Sequence, residues 1–383
     1  MTFNTLLHLV FWFCITASAY IYVGYPTLIW FLARCRPRKC SKQENGQSVS
    51  VVIVVHNEAR NMVRKLNSIF GSNGADRIGE VIIASDGSTD DTAGVLKSFN
   101  DPRVRLLHFD ERRGKPAVLN EAIPACQNEI VVLTDARQEL DPAAINELVA
   151  NFSDESVGAV SGELVLRHSD DDSTAAHGIG VYWKYEKFIR RNEGRFRSVP
   201  GATGALYAIR KPLFRPIHPQ TLLDDVVIPM QVVTQGFRCL FEPAAIAYDL
   251  PSQTARKETI RKRRTIAGTA QLLIHHPAWL LPWRNPIWLE FVSHKVSRLL
   301  SPLLLILLAA SNIALASHPF YRVLLSVHGC FYLSALAGWW FQKSGQRSAC
   351  FGAQFLFVTL NLTTVFALWD AMRGGFRATW QRT

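Results

Sequence analysis

The 383-residue sequence lacks several patterns that mark common classes of protein. Its seven cysteines include no CxxC pair, which excludes a disulfide-rich scaffold and a cysteine zinc site. Their scatter suits reduced thiols that face cytosol or lipid. Neither GxxxxGKS, GxxxxGKT nor GxGxxG is present, so the usual glycine-rich phosphate loops are excluded. Charged residues make up only 19% of the chain and apolar ones 48%, which is too apolar for a disordered protein.

The little charge that is present is mostly basic. Lysine and arginine total 42 against 31 acidic residues, a formal net charge of +11. Such an excess of basic residues is typical of proteins that bind nucleic acid, an anionic membrane surface or a phosphate-bearing substrate. The positions of the basic residues decide among these partners.

The N-terminal segment is nearly uncharged from Leu6 to Leu32, and basic residues then follow at Arg34, Arg36, Arg38 and Lys39. This run exceeds the roughly 20 residues that cross a bilayer. A secretory signal is the alternative, since residues 17–19 resemble a cleavage site, but no basic residue precedes the run. We therefore expect residues 1–40 to form a membrane anchor with its basic end in the cytoplasm and the N-terminus outside.

Three more apolar blocks lie near the C-terminus, at Leu299 to Ala316, Tyr321 to Phe341 and Phe351 to Trp369. Their lengths and aromatic ends predict a transmembrane region of about three spans in residues 299–383, with buried core helices as the alternative. Three spans leaving a cytoplasmic domain would place Arg373 outside, against the charge rule. A re-entrant block or an N-terminal hairpin would remove this conflict, and the sequence leaves the parity open.

Residues 271–298 combine aromatic and basic side chains with three prolines, Pro277, Pro282 and Pro286. This composition predicts amphipathic helices that lie in the lipid headgroup layer. The basic excess then serves membrane lipids, and nucleic acid is not expected as a partner.

The remaining block, residues 41–270, alternates between strand and helix patterns. Short β-branched runs at residues 50–55, 81–84, 104–109 and 130–133 predict buried strands. A stripe of Met62, Leu66 and Ile69 predicts a helix after the first strand, and Ser88 with Asp91 predicts the start of another. A helix is also expected at residues 117–123. This alternation predicts an α/β domain with a mostly parallel sheet.

Polar residues follow three of these strands, at the sheet edge where ligands of parallel α/β domains bind. They are His56, Asn57 and Glu58, then residues 85–90, and then residues 134–137. Acidic groups that converge in this way repel one another unless a cation is bound. We therefore expect a diphosphate bridged by Mg²⁺ or Mn²⁺, with Lys115 as the phosphate counter-charge. Taken singly, each aspartate would be interpreted as a helix cap. We assign Asp90 and Asp91 as caps, and Asp86 and Asp135 as ligands because they lie at the ends of successive strands.

From Val49 to about Gly268 the chain resembles a family-2 glycosyltransferase with a GT-A fold. The resemblance is carried by residues 51–58, 85–90 and 114–120, in the order and on the elements that the family has. With its flanking apolar segments, the chain is similar to membrane synthases of the cellulose, chitin, hyaluronan and poly-N-acetylglucosamine kind. The resemblance implies a donor site in which Asp86 binds the nucleotide base and Asp135 opens the metal motif. His56, Asn57, Glu58, Lys115 and Arg137 would complete it.

The later family elements imply an acceptor site. Gly201, Ala202, Thr203 and Gly204 resemble the loop that approaches the acceptor sugar, although a turn before a strand is the plain interpretation. Asp224 and Asp225 match the acidic pair whose second member is the catalytic base, and a helix N-terminus is the alternative. Tyr182 and Trp183 are further acceptor candidates because aromatic rings stack on sugars, while a core helix explains them equally well.

Two departures from the family pattern limit the comparison. The metal motif reads Asp135-Ala136-Arg137, so an arginine replaces the second carboxylate and Arg137 becomes a phosphate ligand candidate. The QxxRW product motif is replaced by residues 261–265, in which Arg264 keeps the arginine position. Arg261 and Arg264 then become candidates for binding the product diphosphate. The missing tryptophan removes a stacking platform and puts processive synthesis in doubt.

These observations predict an inverting glycosyltransferase that uses a UDP-linked sugar and extends a polysaccharide at the bacterial inner membrane. The catalytic domain is expected in the cytoplasm of this multi-pass protein, with a homo-oligomer or an export partner completing a channel. Single transfer to a lipid-linked acceptor is one alternative. A catalytically inactive nucleotide-binding membrane protein is the other.

Overall fold

The computed structural model describes residues 2–44, 46–167, 174–249, 255–346, 348 and 350–373; the side chains of residues 174–179, 255–259 and 261 are not included. One eight-stranded mixed sheet organises the middle of the chain, with strand order β3-β2-β1-β4-β7-β6-β8-β5. Its strands are β1 Val49–Val55, β2 Ile78–Asp86, β3 Val104–Phe109, β4 Ile130–Thr134, β5 Glu139–Leu140, β6 Val157–Leu166, β7 Leu206–Arg210 and β8 Arg238–Asp249.

The first four strands of this order are parallel. Val51 in β1 lies opposite Val81 in β2 and Val132 in β4, and all three side chains are fully buried. β-Branched residues suit such strands because helices cover both faces of the sheet. β7 is antiparallel to β4 and β6, whereas β6 is parallel to β8. The predicted mostly parallel α/β domain is confirmed, and the antiparallel β7 makes the sheet mixed.

The helices of the sheet domain alternate with the strands. They are α3 Ala59–Phe70, α4 Thr92–Ser98, α5 Lys115–Ala122, α6 Ala144–Val149, α7 Thr174–Phe196, α8 Asp224–Thr234 and α9 Ala255–His275. Met62, Leu66 and Ile69 of α3 are fully buried, as their spacing predicts. Each such side chain stabilises the fold by about 1.5–3 kcal/mol through the apolar surface that it removes from water.

The prediction that Ser88 opens a helix is wrong, because α4 begins at Thr92. The Ser88 hydroxyl instead accepts a hydrogen bond from the backbone N–H of Asn57 at 3.1 Å. The Thr92 N–H donates to Asp90 Oδ1 at 3.1 Å, so the carboxylate of Asp90 satisfies the first amide of α4. Residues 88–91 therefore form a loop that contacts the end of β1.

Apolar side chains pack on both faces of the sheet. Val51, Ile83 and Val132 belong to the core under α3 and α6, and residues of opposite parity belong to the core under α5 and α8. This second core extends to Trp279 and Phe291, beyond α9. The sheet domain and the segment from Trp279 to Phe291 therefore share one hydrophobic core.

Within the residues that the structure describes, four helices are long and apolar enough to cross a membrane. They are Phe3–Cys35 (α1 Phe3–Ala19 and α2 Tyr25–Cys35, joined by a π turn), Trp288–Ala314 (α10 Trp288–Phe291 and α11 Ser297–Ala314, also joined by a π turn), α12 Pro319–Lys343 and α13 Gly352–Met372. These helices indicate association with a membrane.

The structure divides the predicted interfacial segment 271–298 among three elements. It contains the end of α9, a 3₁₀ turn at Pro277–Leu280 and the first part of the long helix that begins at Trp288. All three prolines of the segment precede Trp288, so the segment's irregular part ends where this long helix begins.

Helix α7 joins the sheet domain to the long helices, packing against α2 and α13. His294, in the π turn that precedes α11, contacts Glu193 at 2.8 Å and Glu186 at 2.7 Å. Tyr25 of α2 donates to Glu193 at 2.5 Å. These side chains are buried and hydrogen-bonded to one another, which fixes the position of α7 against two long helices.

Candidate active site

The loops after β1 and β2 are joined by side-chain hydrogen bonds. His56 Nδ1 lies 2.7 Å from the backbone oxygen of Asp86. Asn57 adopts a left-handed conformation with φ of 58°, which asparagine tolerates better than most residues. Its Oδ1 accepts from the Thr89 N–H at 2.7 Å. His56 and Asn57 therefore hold the Asp86 loop against the end of β1.

Asp86 lies at the carboxyl end of β2, and its carboxylate binds two backbone amides. Oδ1 accepts from Arg113 N at 2.6 Å and Oδ2 accepts from Gly114 N at 2.9 Å. Gly114 has a φ of 89°, which favours glycine, and it immediately precedes α5. Asp86 thereby fixes the turn that places Lys115 at the start of α5.

Lys115 connects the end of β4 with the start of α8. Its Nζ lies 2.9 Å from Asp135 Oδ1 and 3.2 Å from Asp224 Oδ2. Burial lowers the pKa of Lys115, but the two carboxylates outweigh it and raise the pKa above its ordinary value. Lys115 therefore stays protonated at physiological pH.

Asp225 is the second residue of α8 and lies next to these groups. Its Oδ2 accepts from Gly204 N at 3.1 Å. Burial and the neighbouring Asp224 raise the pKa of Asp225 to about 6, although Lys115 acts in the opposite direction. A carboxylate with such a pKa is suited to accept a proton near neutral pH.

The loop from Gly201 to Gly204 packs tightly on α8. Gly201 has a φ of 135°, and a Cβ there would lie 3.0 Å from the Val226 side chain. A Cβ on Gly204 would lie 3.3 Å from Asp225 Oδ2. The backbone can approach the carboxylate only because these positions carry no side chain.

The structure adds two residues to this region that sequence reasoning missed. Lys65 is buried, and its Nζ donates to Thr134 Oγ1 and to Gln138 O, each at 2.8 Å. Burial lowers the pKa of Lys65 to about 7. Tyr207 is also buried; burial, Asp224, Asp225 and Asp135 raise its pKa well above the ordinary value. The position of Lys65 three residues after Met62, on the buried stripe of α3, was the available signal.

Two predicted donor residues have other partners. The Arg137 guanidinium donates to Asp249 Oδ2 at 2.6 Å, so a phosphate would compete with a buried carboxylate for it. Glu58 accepts from Asn61 Nδ2 at 2.6 Å and precedes α3. The donor roles of Arg137 and Glu58 stay predictions.

The remaining acceptor and product candidates lie on α7 and α9. Tyr182 and Trp183 of α7 contact each other edge to face, and Glu186 together with burial raises the pKa of Tyr182. Arg264 of α9 lies near Leu222 O, at 3.4 Å, just before Asp224 in the chain. The side chain of Arg261 lies outside the described residues. None of these four roles is tested by the geometry.

A divalent cation fits this site with a single protein ligand. Asp135 is 26% exposed at its side chain, and its one hydrogen bond within the described residues is on Oδ1. No cluster of three metal-ligating side chains occurs in the described part of the chain. Mg²⁺ commonly uses one or two carboxylates and takes its remaining ligands from phosphate and water, so Asp135 satisfies that requirement.

Known proteins resemble both the sequence and the fold. A poly-beta-1,6-N-acetyl-D-glucosamine synthase from Staphylococcus epidermidis is 23% identical over 219 residues, covering 56% of this chain and 52% of the relative. An N-acetylglucosaminyltransferase from Azorhizobium caulinodans is 26% identical over 184 residues, covering 44% of this chain and 46% of the relative. The chain thus spans about half the length of these curated relatives.

A solved structure extends the likeness to nearly the whole fold. The mannosyltransferase PcManGT from Pyrobaculum calidifontis, solved with GDP-Man and Mn²⁺, has a TM-score of 0.71 and 20% sequence identity. The match covers 96% of this chain and 99% of that one. The sequence model of Glycosyl transferase family 2 matches residues 50–217, which include the loops after β1, β2 and β4 and the Gly201–Gly204 loop. Residues 50–217 are therefore similar to glycosyl transferase family 2, and the fold around them is that of the solved mannosyltransferase.

Proposed function

We propose that this protein is an inverting glycosyltransferase that moves a sugar from a nucleoside diphosphate sugar to a growing polysaccharide at the membrane. UDP is the default carrier. The main support is the position of Asp225, whose carboxyl has a pKa of about 6 and lies beside the paired Lys115, Asp135 and Asp224. The family match and the fold support the same reaction class.

The residues at the strand ends divide into donor and acceptor groups. Asp86, held by His56 and the turn before Lys115, binds the nucleotide. Lys115 is protonated and provides positive charge for the diphosphate, and Asp135 lies 2.9 Å from the Lys115 ammonium group. Asp225 takes the proton of the acceptor hydroxyl as its oxygen attacks the anomeric carbon. The bond from that carbon to the diphosphate oxygen breaks, and the configuration inverts.

Mg²⁺ or Mn²⁺, when bound, stabilises the negative charge on the departing diphosphate. Asp135 would hold it together with diphosphate oxygens and water. The similar mannosyltransferase was solved with Mn²⁺, which supports a divalent cation as the cofactor of this reaction class. Lys115 contributes to the same stabilisation from the start of α5.

The acceptor is proposed to be a glycan chain. The curated relatives are named for N-acetylglucosamine transfer, which makes UDP-N-acetylglucosamine the first donor to test. Long apolar helices lie on both sides of the sheet domain in the chain, an arrangement that suits passage of a polymer. A second copy of the chain or an export partner would complete such a passage.

The test is nucleotide release by the detergent-purified full chain. The donors are UDP-N-acetylglucosamine, UDP-glucose and GDP-mannose, each with Mg²⁺, Mn²⁺ or EDTA, and with glycan and lipid-linked acceptors. We expect release from one donor, with loss of activity in EDTA. Asp225→Asn is the matched control, which should abolish transfer and leave nucleotide affinity within about twofold.

If the wild-type protein releases no nucleotide with any donor and acceptor, the result would contradict glycosyl transfer and favour a nucleotide-binding membrane protein. Release that survives EDTA would contradict the metal assignment alone. Loss of nucleotide affinity in Asp225→Asn would show that Asp225 is structural and would refute its role as base.

A further inference from the structure

Arg190 lies on the face of α7 that is anchored to the long helices. Glu186, Arg190 and Glu193 are spaced four and three residues apart, so their side chains emerge from the same face of the helix. Glu186 and Glu193 both contact His294, one helical turn on either side of Arg190. The backbone that carries Arg190 is therefore held at two points.

The Arg190 guanidinium reaches the loop beside the candidate base. Its Nη2 donates to Gly201 O at 3.1 Å and to Ser161 Oγ at 3.0 Å. The guanidinium also lies over the Phe241 ring, 5.1 Å from its centroid. Phe241 limits the orientations open to the side chain, which favours these two hydrogen bonds.

Ser161 is completely buried in β6 and connects Arg190 to the next residues of the loop. Its hydroxyl donates to Gly162 O at 3.0 Å and accepts from Thr203 N at 3.0 Å as well as from Arg190. One donor and two acceptor positions are all that a hydroxyl has. Every one of them is used to hold this segment.

The loop in turn holds Asp225. Ala202 N donates to the backbone oxygen of Asp225 at 2.7 Å, and Gly204 N donates to its Oδ2 at 3.1 Å. Two of the four loop residues are glycines, which restrict the backbone least, so the loop depends on outside contacts for its conformation. A continuous path of hydrogen bonds thus runs from Arg190 through Ser161 and the loop to the Asp225 carboxylate.

We propose that Arg190 is a positioning residue for the transfer reaction: together with Ser161 it holds the 201–204 loop so that the Asp225 carboxylate faces the acceptor hydroxyl. This rests on the proposed function, in which Asp225 is the base. Arg190 acts through the loop and takes no part in proton transfer. The donor site is built on other loops, after β1, β2 and β4, so nucleotide binding is independent of Arg190.

The first arm of the test is kinetic and uses Arg190→Met, Ser161→Ala and the double variant. We expect kcat to fall about 10- to 100-fold in each single variant, since a displacement near 1 Å costs that much. Nucleotide affinity and the donor KM should stay within about twofold. The double variant should be no slower than the slower single variant, because both substitutions interrupt one path. Arg191→Met, at an exposed neighbour on α7, should keep wild-type kcat.

The second arm needs no turnover. Hydrogen–deuterium exchange of peptides covering residues 200–206 should become faster in Arg190→Met and Ser161→Ala, and remain unchanged in Arg191→Met. Unchanged exchange and a kcat within twofold of wild type in Arg190→Met would overturn the proposal. A loss of kcat that comes with a similar fold loss of nucleotide affinity and a lower melting temperature would also overturn the proposal, because this combination indicates general damage to the fold. If the wild-type protein transfers no sugar but exchange is still faster in the two variants, the contact from Arg190 to the loop is supported and the proposed function is refuted.

Discussion

Burial has opposite consequences for two neighbouring residues of the candidate site. It lowers the pKa of Lys115 and raises that of Asp225, because each charged form loses hydration. Two carboxylates reverse the effect on Lys115, whereas Asp224 adds to the effect on Asp225. The site therefore keeps one permanent positive charge, which the proposed function assigns to the diphosphate, and one carboxylate that exchanges a proton near neutral pH.

The pKa of about 6 for Asp225 predicts how transfer depends on pH. The ionised carboxylate is the form that accepts a proton, so kcat/KM should be constant above pH 7. It should fall as pH decreases through 6, and approach a tenfold loss per pH unit below that. Initial rates between pH 5 and 8 would measure the profile. A flat profile over this range, with chemistry limiting, would contradict the assignment of Asp225 as base.

At the scale of elements, the strands could be predicted from the sequence, but several contacts between helices and strands could not. Runs such as Val51 to Val55 predict buried strands because every residue is β-branched. The strand order then places Asp86 and Asp135 at the same edge of the sheet, where two of the predicted acidic clusters lie. Asp225 lies in α8, and only the family resemblance pointed to it. The hydrogen bonds from Lys65 to Thr134 and from Arg190 to Ser161 join residues 69 and 29 positions apart. No local pattern encodes such pairs, because they depend on how helices dock on the sheet.

A second ion pair, with a buried glutamate and a partly exposed arginine, holds the end of α7. Arg197, which follows α7, donates from Nε and Nη2 to the two carboxylate oxygens of Glu290 at 2.8 and 2.9 Å. Glu290 of α10 is completely buried. The pair therefore connects the end of α7 to the helix that continues into α11.

Arg197→Met should destabilise the protein by about 1–3 kcal/mol, because it leaves the buried Glu290 carboxyl without its hydrogen-bond donors. The combined variant Arg197→Met with Glu290→Leu should recover most of that loss, since it removes both charges. Thermal unfolding of the purified protein in detergent, followed by tryptophan fluorescence, would compare the midpoints. Arg195→Met, at an exposed position on α7, is the matched control. A double variant as unstable as Arg197→Met would show that the ion pair is not the cause.

At the scale of the whole molecule, contacts order the long helices relative to the sheet domain. His8 near the start of α1 bonds Tyr321 near the start of α12 at 2.7 Å, so these two ends lie together. Tyr25 of α2 contacts Glu193 of α7, so the other end of the first helix lies at the sheet domain. The helices α1–α2, α10–α11 and α12 therefore extend between the sheet domain and a distant end.

Helix α13 is different, because it begins beside the end of α12 and its second end contacts α9. Phe351, just before α13, stacks on Phe341 at the end of α12 with centroids 5.8 Å apart. Near its other end, Asp370 pairs with Arg263 of α9 at 2.5 Å, and α9 contacts the start of α8. A helix of 21 residues is about 31 Å long and is able to cross a bilayer, but α13 instead packs along α7 and α9. From its contacts with α7 and α9 we predict that α13 lies along the inner side of the membrane and does not cross it.

This arrangement predicts that the chain crosses the membrane three times within the described residues and returns to the cytoplasm before Arg373. The C-terminal arginines would then obey the positive-inside rule, which four crossings would violate. In a cysteine-free background, an impermeant maleimide applied to intact cells should label Ser317→Cys, between α11 and α12. It should not label Arg373→Cys, or the exposed Cys350 when that one native cysteine is restored to the background, until the cells are permeabilised. Labelling of Arg373→Cys from outside, with Cys350 protected, would mean that α13 crosses the membrane and that its contact with α9 is not formed in the cell.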